Sequence, residues 1–221
     1  MLSADLVRVM KARGCPICSL VERGERSFIE SVLYEHPLDP QVHIALKRSL
    51  GFCRRHSDLA AEIVLSKPEI DPIAVAVLYE DLARKVLDDL SGGEVRQEAP
   101  CPVCSLMKEL EDIYLRTFIS RVEVIREAYE RGPAVLCLRH FLKLKPHISW
   151  LNQVQMRKIE GLLRDLQGFI EKRDYSSRGK LTEEELSSWR VALKVFTGVD
   201  GRERSGSFIE KFKSLLRPHL E

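Results

Sequence analysis

The stretches Cys15-Pro16-Ile17-Cys18 and Cys53-Arg54-Arg55-His56 decide how this sequence is interpreted, because each pattern occurs a second time. The second copies are Cys101-Pro102-Val103-Cys104 and Cys137-Leu138-Arg139-His140. The four stretches use all 6 cysteines of the 221-residue chain. Each copy offers three sulfur atoms and one imidazole, which is a complete ligand set for tetrahedral zinc. The sequence therefore predicts the metal ligands Cys15, Cys18, Cys53, His56, Cys101, Cys104, Cys137 and His140.

The spacing within each motif suits a single metal ion. Two cysteines three positions apart around a tight turn can aim both sulfurs at one ion, and the proline between them stiffens that turn. A cysteine and a histidine three positions apart in the first turn of a helix share one face. Four protein ligands close the coordination sphere, and closed zinc sites are usually structural. We expect two structural zinc ions per chain, with an iron–sulfur cluster on the same residues as the alternative.

The nearly constant offset between the copies indicates an internal duplication. The first pair of cysteines recurs 86 residues later, and the Cys–His half-site recurs 84 residues later. Glu25 falls on Glu111 at the first of these offsets. The sequence leaves open whether each metal takes both half-sites from one repeat or one half-site from each repeat.

The segments between the motifs have the periodicity and the end signals of helices, and no segment shows convincing strand alternation. The first helix after Cys18 should end before Pro37, because the residue preceding a proline avoids the α region. Asp39-Pro40 and Asp71-Pro72 each combine an N-cap with a proline in the first turn. These helices should end near Gly51 and near Gly92, and residues 92–100 form the candidate linker.

A single helix from Cys104 to Glu130 would be about 40 Å long, too long for the chain to return to Cys104 by Cys137. Ser120 and Glu123 have the spacing of a capping box, which predicts a break near Ser120. We therefore expect a helical hairpin that returns to its own cysteine pair in both copies, unless the half-sites are exchanged between repeats.

The C-terminal third of the chain also has helical patterns. Residues 147–174 favour one long helix, and a capping box at Thr182 begins a helix that should end at Gly198. Another capping box at Ser207 predicts a short terminal helix before Pro218. The predicted fold is all-α, with two quasi-repeated metal-stapled helical hairpins and a C-terminal helical region. The corresponding divisions are 1–91, 92–146 and 147–221.

Composition favours neither a nucleic-acid nor a membrane protein. The formal net charge is +2 and no segment is strongly basic. No apolar run reaches the roughly 18 residues that span a bilayer, and residues 1–14 lack the apolar core of a signal peptide. We expect a cytoplasmic protein, in which C-x-x-C pairs serve metal or redox chemistry rather than structural disulfides.

No familiar catalytic motif is present, so an enzymatic role is not favoured. Arg55 and Arg139 precede the histidines and either donate hydrogen bonds to the thiolates or lie on solvated helix faces. Arg139, Lys143 and Lys145 form a small basic group for which solvation is the favoured interpretation. Side chains assigned ordinary surface, capping or core roles are His36, His43, His147, Trp150 and Trp189.

The combination of CPxC, GFC-x-R-H, a second CPxC and LC-x-x-H resembles a family of uncharacterised prokaryotic proteins known only as a domain of unknown function. The stretch from Phe169 to Gly198 looks like the C-terminal region of that family. The resemblance implies two metal motifs and an all-α fold, and it carries no activity. Our leading hypothesis is a metal-binding interaction or scaffold module that binds a protein partner or itself. The alternative is an iron–sulfur or thiol redox sensor built on the same residues.

Overall fold

A computed structural model describes residues 2–173 and 179–198. Over these ranges the chain forms α-helices and one short 3-10 turn, and no β-strand. The predicted all-α class is confirmed, and the terminal helix expected from Ser207 lies outside the described residues. The helices are α1 (Leu2–Val9), α2 (Pro16–Tyr34), α3 (Pro40–Ser49), α4 (Arg54–Ser66), α5 (Ile73–Gly92), α6 (Pro102–Ser120), α7 (Val122–Arg131), α8 (Leu138–Leu144), α9 (Leu151–Arg173) and α10 (Glu183–Thr197).

Most helix ends lie where the side chains predict them. The Asp39 carboxylate accepts a hydrogen bond of 2.7 Å from the Gln41 amide at the start of α3. Asp71 accepts a hydrogen bond of 2.8 Å from the Ile73 amide, but the N-cap of α5 is Pro72, so this helix begins one residue later than predicted. The capping box at Thr182 is formed in full at the start of α10. Local capping chemistry therefore accounts for these boundaries.

The break expected near Ser120 is present, but the predicted capping box is not its cause. Helix α6 ends at Ser120 and α7 begins at Val122. The Ser120 hydroxyl donates to the Thr117 carbonyl 3.4 Å away, so it bonds back into α6 and does not cap α7. A side chain that still belongs to the last turn of one helix is unable to cap the next.

Helices α2 and α6 lie side by side at the centre of the main hydrophobic core. Both contain 19 residues, and they occupy equivalent places 86 residues apart. They approach closely at equivalent positions, because a Cβ atom added to Gly24 would lie 2.4 Å from a side-chain carbon of Leu110. The order of helices α2–α5 recurs as α6–α9, and a common origin of the two halves stays a prediction.

Helix α10 packs against α8 and α9, and it forms a smaller apolar cluster with α9 and the loop before α8. Val135, Leu162, Val191 and Val195 are its buried members. Trp150 is partly buried against the main core, as expected. Trp189 is 43% exposed, which corrects its assignment to the core, because the buried face of α10 is defined by Ser188, Val191 and Val195. None of the helices in the described ranges combines the length and apolarity needed to cross a bilayer.

Candidate metal centres

The structure gathers the predicted ligands into two groups, and each group draws on both repeats. Within each group the ligand atoms all lie within 4.8 Å of one another. The CPxC pair of one repeat meets the Cys–His pair of the other repeat. The first site comprises Cys15, Cys18, Cys137 and His140, and the second comprises Cys53, His56, Cys101 and Cys104.

The sequence left open whether each site takes its half-sites from one repeat or from both, and the structure shows that it takes them from both. The prediction of a hairpin that returns to its own cysteine pair is therefore wrong. Helix lengths explain the result. Helices α2 and α6 each contain 19 residues, whereas the returning helices α3 and α7 each contain 10. At 1.5 Å per residue, a path of about 28 Å is followed by a return of only about 15 Å. The chain therefore reaches each Cys–His motif away from the cysteine pair of its own repeat.

The distances within each site fit a tetrahedral ion. The histidine Nδ1 atom lies between 3.1 Å and 3.5 Å from the three sulfur atoms of its site. The Sγ atoms of Cys18 and Cys137 are 3.7 Å apart, and those of Cys53 and Cys104 are 3.8 Å apart. Zinc–sulfur bonds of about 2.3 Å separate tetrahedral sulfur ligands by about 3.8 Å. Each donor set could therefore hold one ion with little rearrangement.

All four half-sites begin a helix. Cys15, Cys53, Cys101 and Cys137 are the N-caps of α2, α4, α6 and α8, respectively. The second ligand of each half-site follows in the first turn. The positive end of a helix dipole favours anionic groups. The helix starts thus position the ligands of all four half-sites.

Backbone hydrogen bonds align the two halves of each site. In the first site, the Val135 amide donates to the Gly14 carbonyl at 3.0 Å, next to both half-sites. In the second site, the Ala99 amide donates to the Arg48 carbonyl, also at 3.0 Å. Gly14 has φ +108, a conformation that other residues rarely adopt, so glycine suits this approach. Each site thus has a short pairing between the segments that precede its motifs.

A tyrosine hydroxyl supports the backbone before each Cys–His motif. Tyr129 accepts a hydrogen bond of 3.0 Å from the Leu136 amide, and Tyr79 accepts one of 3.3 Å from the Phe52 amide. Tyr129 also donates to Gln155, whose side-chain amide donates to the Leu136 carbonyl at 2.8 Å. The two tyrosines come from non-equivalent helices, α7 and α5. The repeats therefore achieve the same support by different routes.

Each histidine faces a buried glutamate that was not among the predicted site residues. Nε2 of His56 lies 2.8 Å from Oε1 of Glu25, and Nε2 of His140 lies 3.3 Å from Oε1 of Glu111. In both pairs the two atoms are in close contact, but the angle at the Nε2 hydrogen does not meet the geometry of a hydrogen bond. A carboxylate at this place keeps the proton on Nε2 and leaves Nδ1 for the metal. Two sequence signals mark these glutamates, namely their shared offset of 86 and their position seven residues after the second cysteine.

The arginines before the histidines bind these glutamates. Arg55 Nη2 lies 2.9 Å from a Glu25 oxygen, and Arg139 Nη2 lies 2.8 Å from a Glu111 oxygen. Lys143 also forms an ion pair with Glu111. In this arrangement the arginines fix a carboxylate that faces the histidine ligand, and their hydrogen bonding to the thiolates stays a prediction. The basic group around Arg139 is thus engaged within the protein, and it is not a bare cationic patch.

Burial and hydrogen bonding shift the pKa values of the candidate ligands in opposite directions. Burial lowers the pKa of His56, but its contacts with Cys101 and Glu25 outweigh burial and raise that pKa to about 9. Burial raises the pKa of Cys101, but the hydrogen bond with His56 and several backbone hydrogen bonds together outweigh burial and lower the pKa to about 6. The pKa of Cys137 lies far below its usual range, chiefly because of hydrogen bonds with the other two thiols of its site. Each site therefore favours a thiolate at neutral pH, which is the metal-binding form of cysteine.

The remaining histidines near the motifs lie outside both ligand groups. His43 Nδ1 is 2.7 Å from an Asp81 oxygen, and its Nε2 is 3.0 Å from the Pro37 carbonyl. This histidine joins α3 to α5 and has a structural role. His36 is about half exposed beside Glu35, and His147 is exposed in the turn before α9. In the ranges 2–173 and 179–198, the two Cys₃His groups are the sets of ligands with metal-binding geometry.

Replacing Glu111 with Gln should weaken metal binding at the first site, because an amide holds the imidazole less firmly and removes the negative charge behind it. We expect a loss of about 10–100-fold in affinity, as is typical for this class of partner. Competition with a chromophoric chelator measures the change. Glu109→Gln is the matched control, since Glu109 is exposed on the same helix. Equal affinities for the two variants would contradict the role assigned to Glu111.

Comparison with known proteins identifies no relative, because no family model, no curated protein and no solved structure matches the chain. The resemblance drawn from the motifs therefore stays a prediction.

Proposed function

We propose that this protein binds two zinc ions and that each ion links the two repeats of the chain. The crossed composition of the ligand sets carries this proposal, since each set joins a CPxC pair to the Cys–His pair of the other repeat. When bound, zinc supplies four strong bonds that hold the half-sites together and contribute directly to folding. In this role the two ions are internal cross-links between α2 and α8 and between α4 and α6.

The donor sets favour a single ion over a cluster. All four donor atoms of a site lie within 4.8 Å of one another, which leaves no room for several irons and sulfides. Three thiolates and one neutral imidazole give a zinc site a net charge of about −1. Basic side chains pair with the carboxylates beside the histidines and offset the local negative charge. They are Arg55 in the second site and Arg139 with Lys143 in the first. This arrangement supports zinc as the resident metal.

We further propose that the linked repeats act as an interaction or scaffold module. A closed ligand set offers no position for substrate or water, so the metal has a structural role in this proposal. Binding of a protein partner or a second copy of the chain would then use the surface that the metal links hold in shape. Light scattering on the metal-loaded and metal-depleted protein tests the second of these modes, because self-association should require the loaded form.

Elemental analysis with visible absorption tests the metal assignment. Protein purified without oxygen and without added metal should contain two zinc ions per chain and be colourless. Iron with sulfide in a coloured preparation would contradict the assignment to zinc and favour the redox alternative. Iron without sulfide would keep the single-ion geometry and contradict only the choice of metal.

A further inference from the structure

The two sites differ in how well their sulfur atoms are buried. In the first site Cys137, Cys15 and Cys18 are 0%, 2% and 7% exposed. In the second site Cys101 is buried, but Cys53 and Cys104 are only partly buried. Reactivity of a thiolate toward solution reagents follows its exposure as well as its ionisation. The second site is thus the more accessible of the two.

Part of this difference in burial comes from α10, which lies outside the recurring series of helices α2–α5 and α6–α9. Gly198, at the end of α10, lies against the first site, and a Cβ atom added to it would lie 3.3 Å from Cys137 Sγ. Its φ of +66 with ψ of 171 is a combination that essentially only glycine adopts. The close approach of α10 to Cys137 therefore depends on glycine and covers the first site.

The two accessible sulfur atoms are also neighbours. Sγ of Cys53 lies 3.8 Å from Sγ of Cys104. Cys53 is the N-cap residue of α4, and Cys104 lies in the first turn of α6. A thiolate with a second thiolate beside it is the arrangement in which an oxidised sulfur is captured as a disulfide. Accessibility and proximity therefore coincide in this pair.

We propose that Cys53 and Cys104 are a site of oxidative modification, at which a hydroperoxide forms a disulfide and displaces the metal of the second site. This inference rests on the proposed metal binding. The first site keeps its metal because its three cysteines are buried and Gly198 packs against Cys137. The two repeats stay joined, since Cys53 belongs to the first repeat and Cys104 to the second. Oxidation thus exchanges a metal link for a covalent link between the same two parts of the chain.

The chemistry balances with one hydroperoxide per disulfide. One thiolate attacks a peroxide oxygen, the O–O bond breaks, hydroxide leaves from hydrogen peroxide or an alkoxide from an organic hydroperoxide, and the sulfur becomes a sulfenic acid. The second thiolate attacks that sulfur, the S–S bond forms, and the sulfenic oxygen leaves as hydroxide. The two sulfurs lose two electrons and the peroxide gains them. The metal loses two of its four ligands.

The test uses the full-length protein whose metal content has been measured beforehand. Hydrogen peroxide is added, metal release is followed with a chromophoric chelator, and peptide mass spectrometry after alkylation maps the disulfides. We expect one metal ion to leave at least about tenfold faster than the other. The Cys53–Cys104 disulfide should appear in step with that release, with helical circular dichroism largely retained.

Three results would overturn the inference: equal release of both ions, earlier oxidation of the first-site cysteines, and no release. A chain that holds fewer than two ions before peroxide is added contradicts the proposed function instead, so the two failures are distinct. Gly198→Ala is the informative variant, because it should loosen α10 over Cys137. Release from the first site should become several-fold faster in this variant, while release from the second site stays unchanged.

Discussion

Combining Cys15→Ser with Cys53→Ser should abolish both metal sites, whereas combining Cys15→Ser with Cys137→Ser should leave one metal ion per chain. The reason is the crossed ligand sets. Cys15 and Cys53 lie in the same repeat but in different sites, and Cys15 and Cys137 lie in different repeats but in one site. A site that loses one of three thiolates keeps too few strong ligands to hold zinc tightly. Elemental analysis of each double variant gives the stoichiometry directly.

The reverse pattern would show that each metal takes its ligands from a single repeat. The single variants Cys15→Ser and Cys53→Ser are the controls, and each should retain one ion. Far-UV circular dichroism on the same samples shows whether the chain is folded, so that a loss of metal through general unfolding is recognised. If both double variants are folded and equally loaded, the crossed arrangement is wrong.

The eight candidate ligand residues and most helix boundaries could be predicted because their signals are local. A cysteine pair around a proline, an aspartate before Pro40 and the capping box at Thr182 each depend on a few neighbouring residues. The pairing of the half-sites depends instead on the relative lengths of successive helices. Helix α3, with 10 residues, is too short to return along the full length of α2, which has 19. The two lengths can be compared only when both ends of each helix are known.

The glutamates behind the histidines show a different limit. Glu25 and Glu111 share the offset of the cysteine pairs, so their equivalence was visible in the sequence. Their contact with the histidines was not visible, because it depends on how two helices of one repeat pack together. Helix α2 brings Glu25 to His56 of α4, and α6 brings Glu111 to His140 of α8. Trp189 was misplaced for a related reason. An apolar helical pattern marks a helix, but which face is buried depends on the neighbouring helices.

Removing both metal ions at neutral pH should unfold much of the chain. Structural zinc contributes about 10–16 kcal/mol in small zinc-dependent peptides. A typical domain has a total unfolding free energy of about 5–15 kcal/mol. The ions would link helices that are far apart in sequence, so their loss also restores conformational entropy to long segments. Far-UV circular dichroism during urea titration should show a strongly lowered midpoint or no cooperative transition after chelation, with recovery when zinc is restored.

The two sites should not contribute equally to this stability, and a matched pair of variants separates them. Cys137 is fully buried and packed against Gly198 of α10, whereas Cys53 is partly exposed. Each is the N-cap cysteine of the same motif, so Cys137→Ser and Cys53→Ser make the same chemical change. We expect Cys137→Ser to lower the urea midpoint more, because it leaves three ligands without their metal in the more deeply buried site. A larger loss for Cys53→Ser would mean that burial does not set the contribution of a site, and that the α4–α6 link is the dominant connection between the repeats.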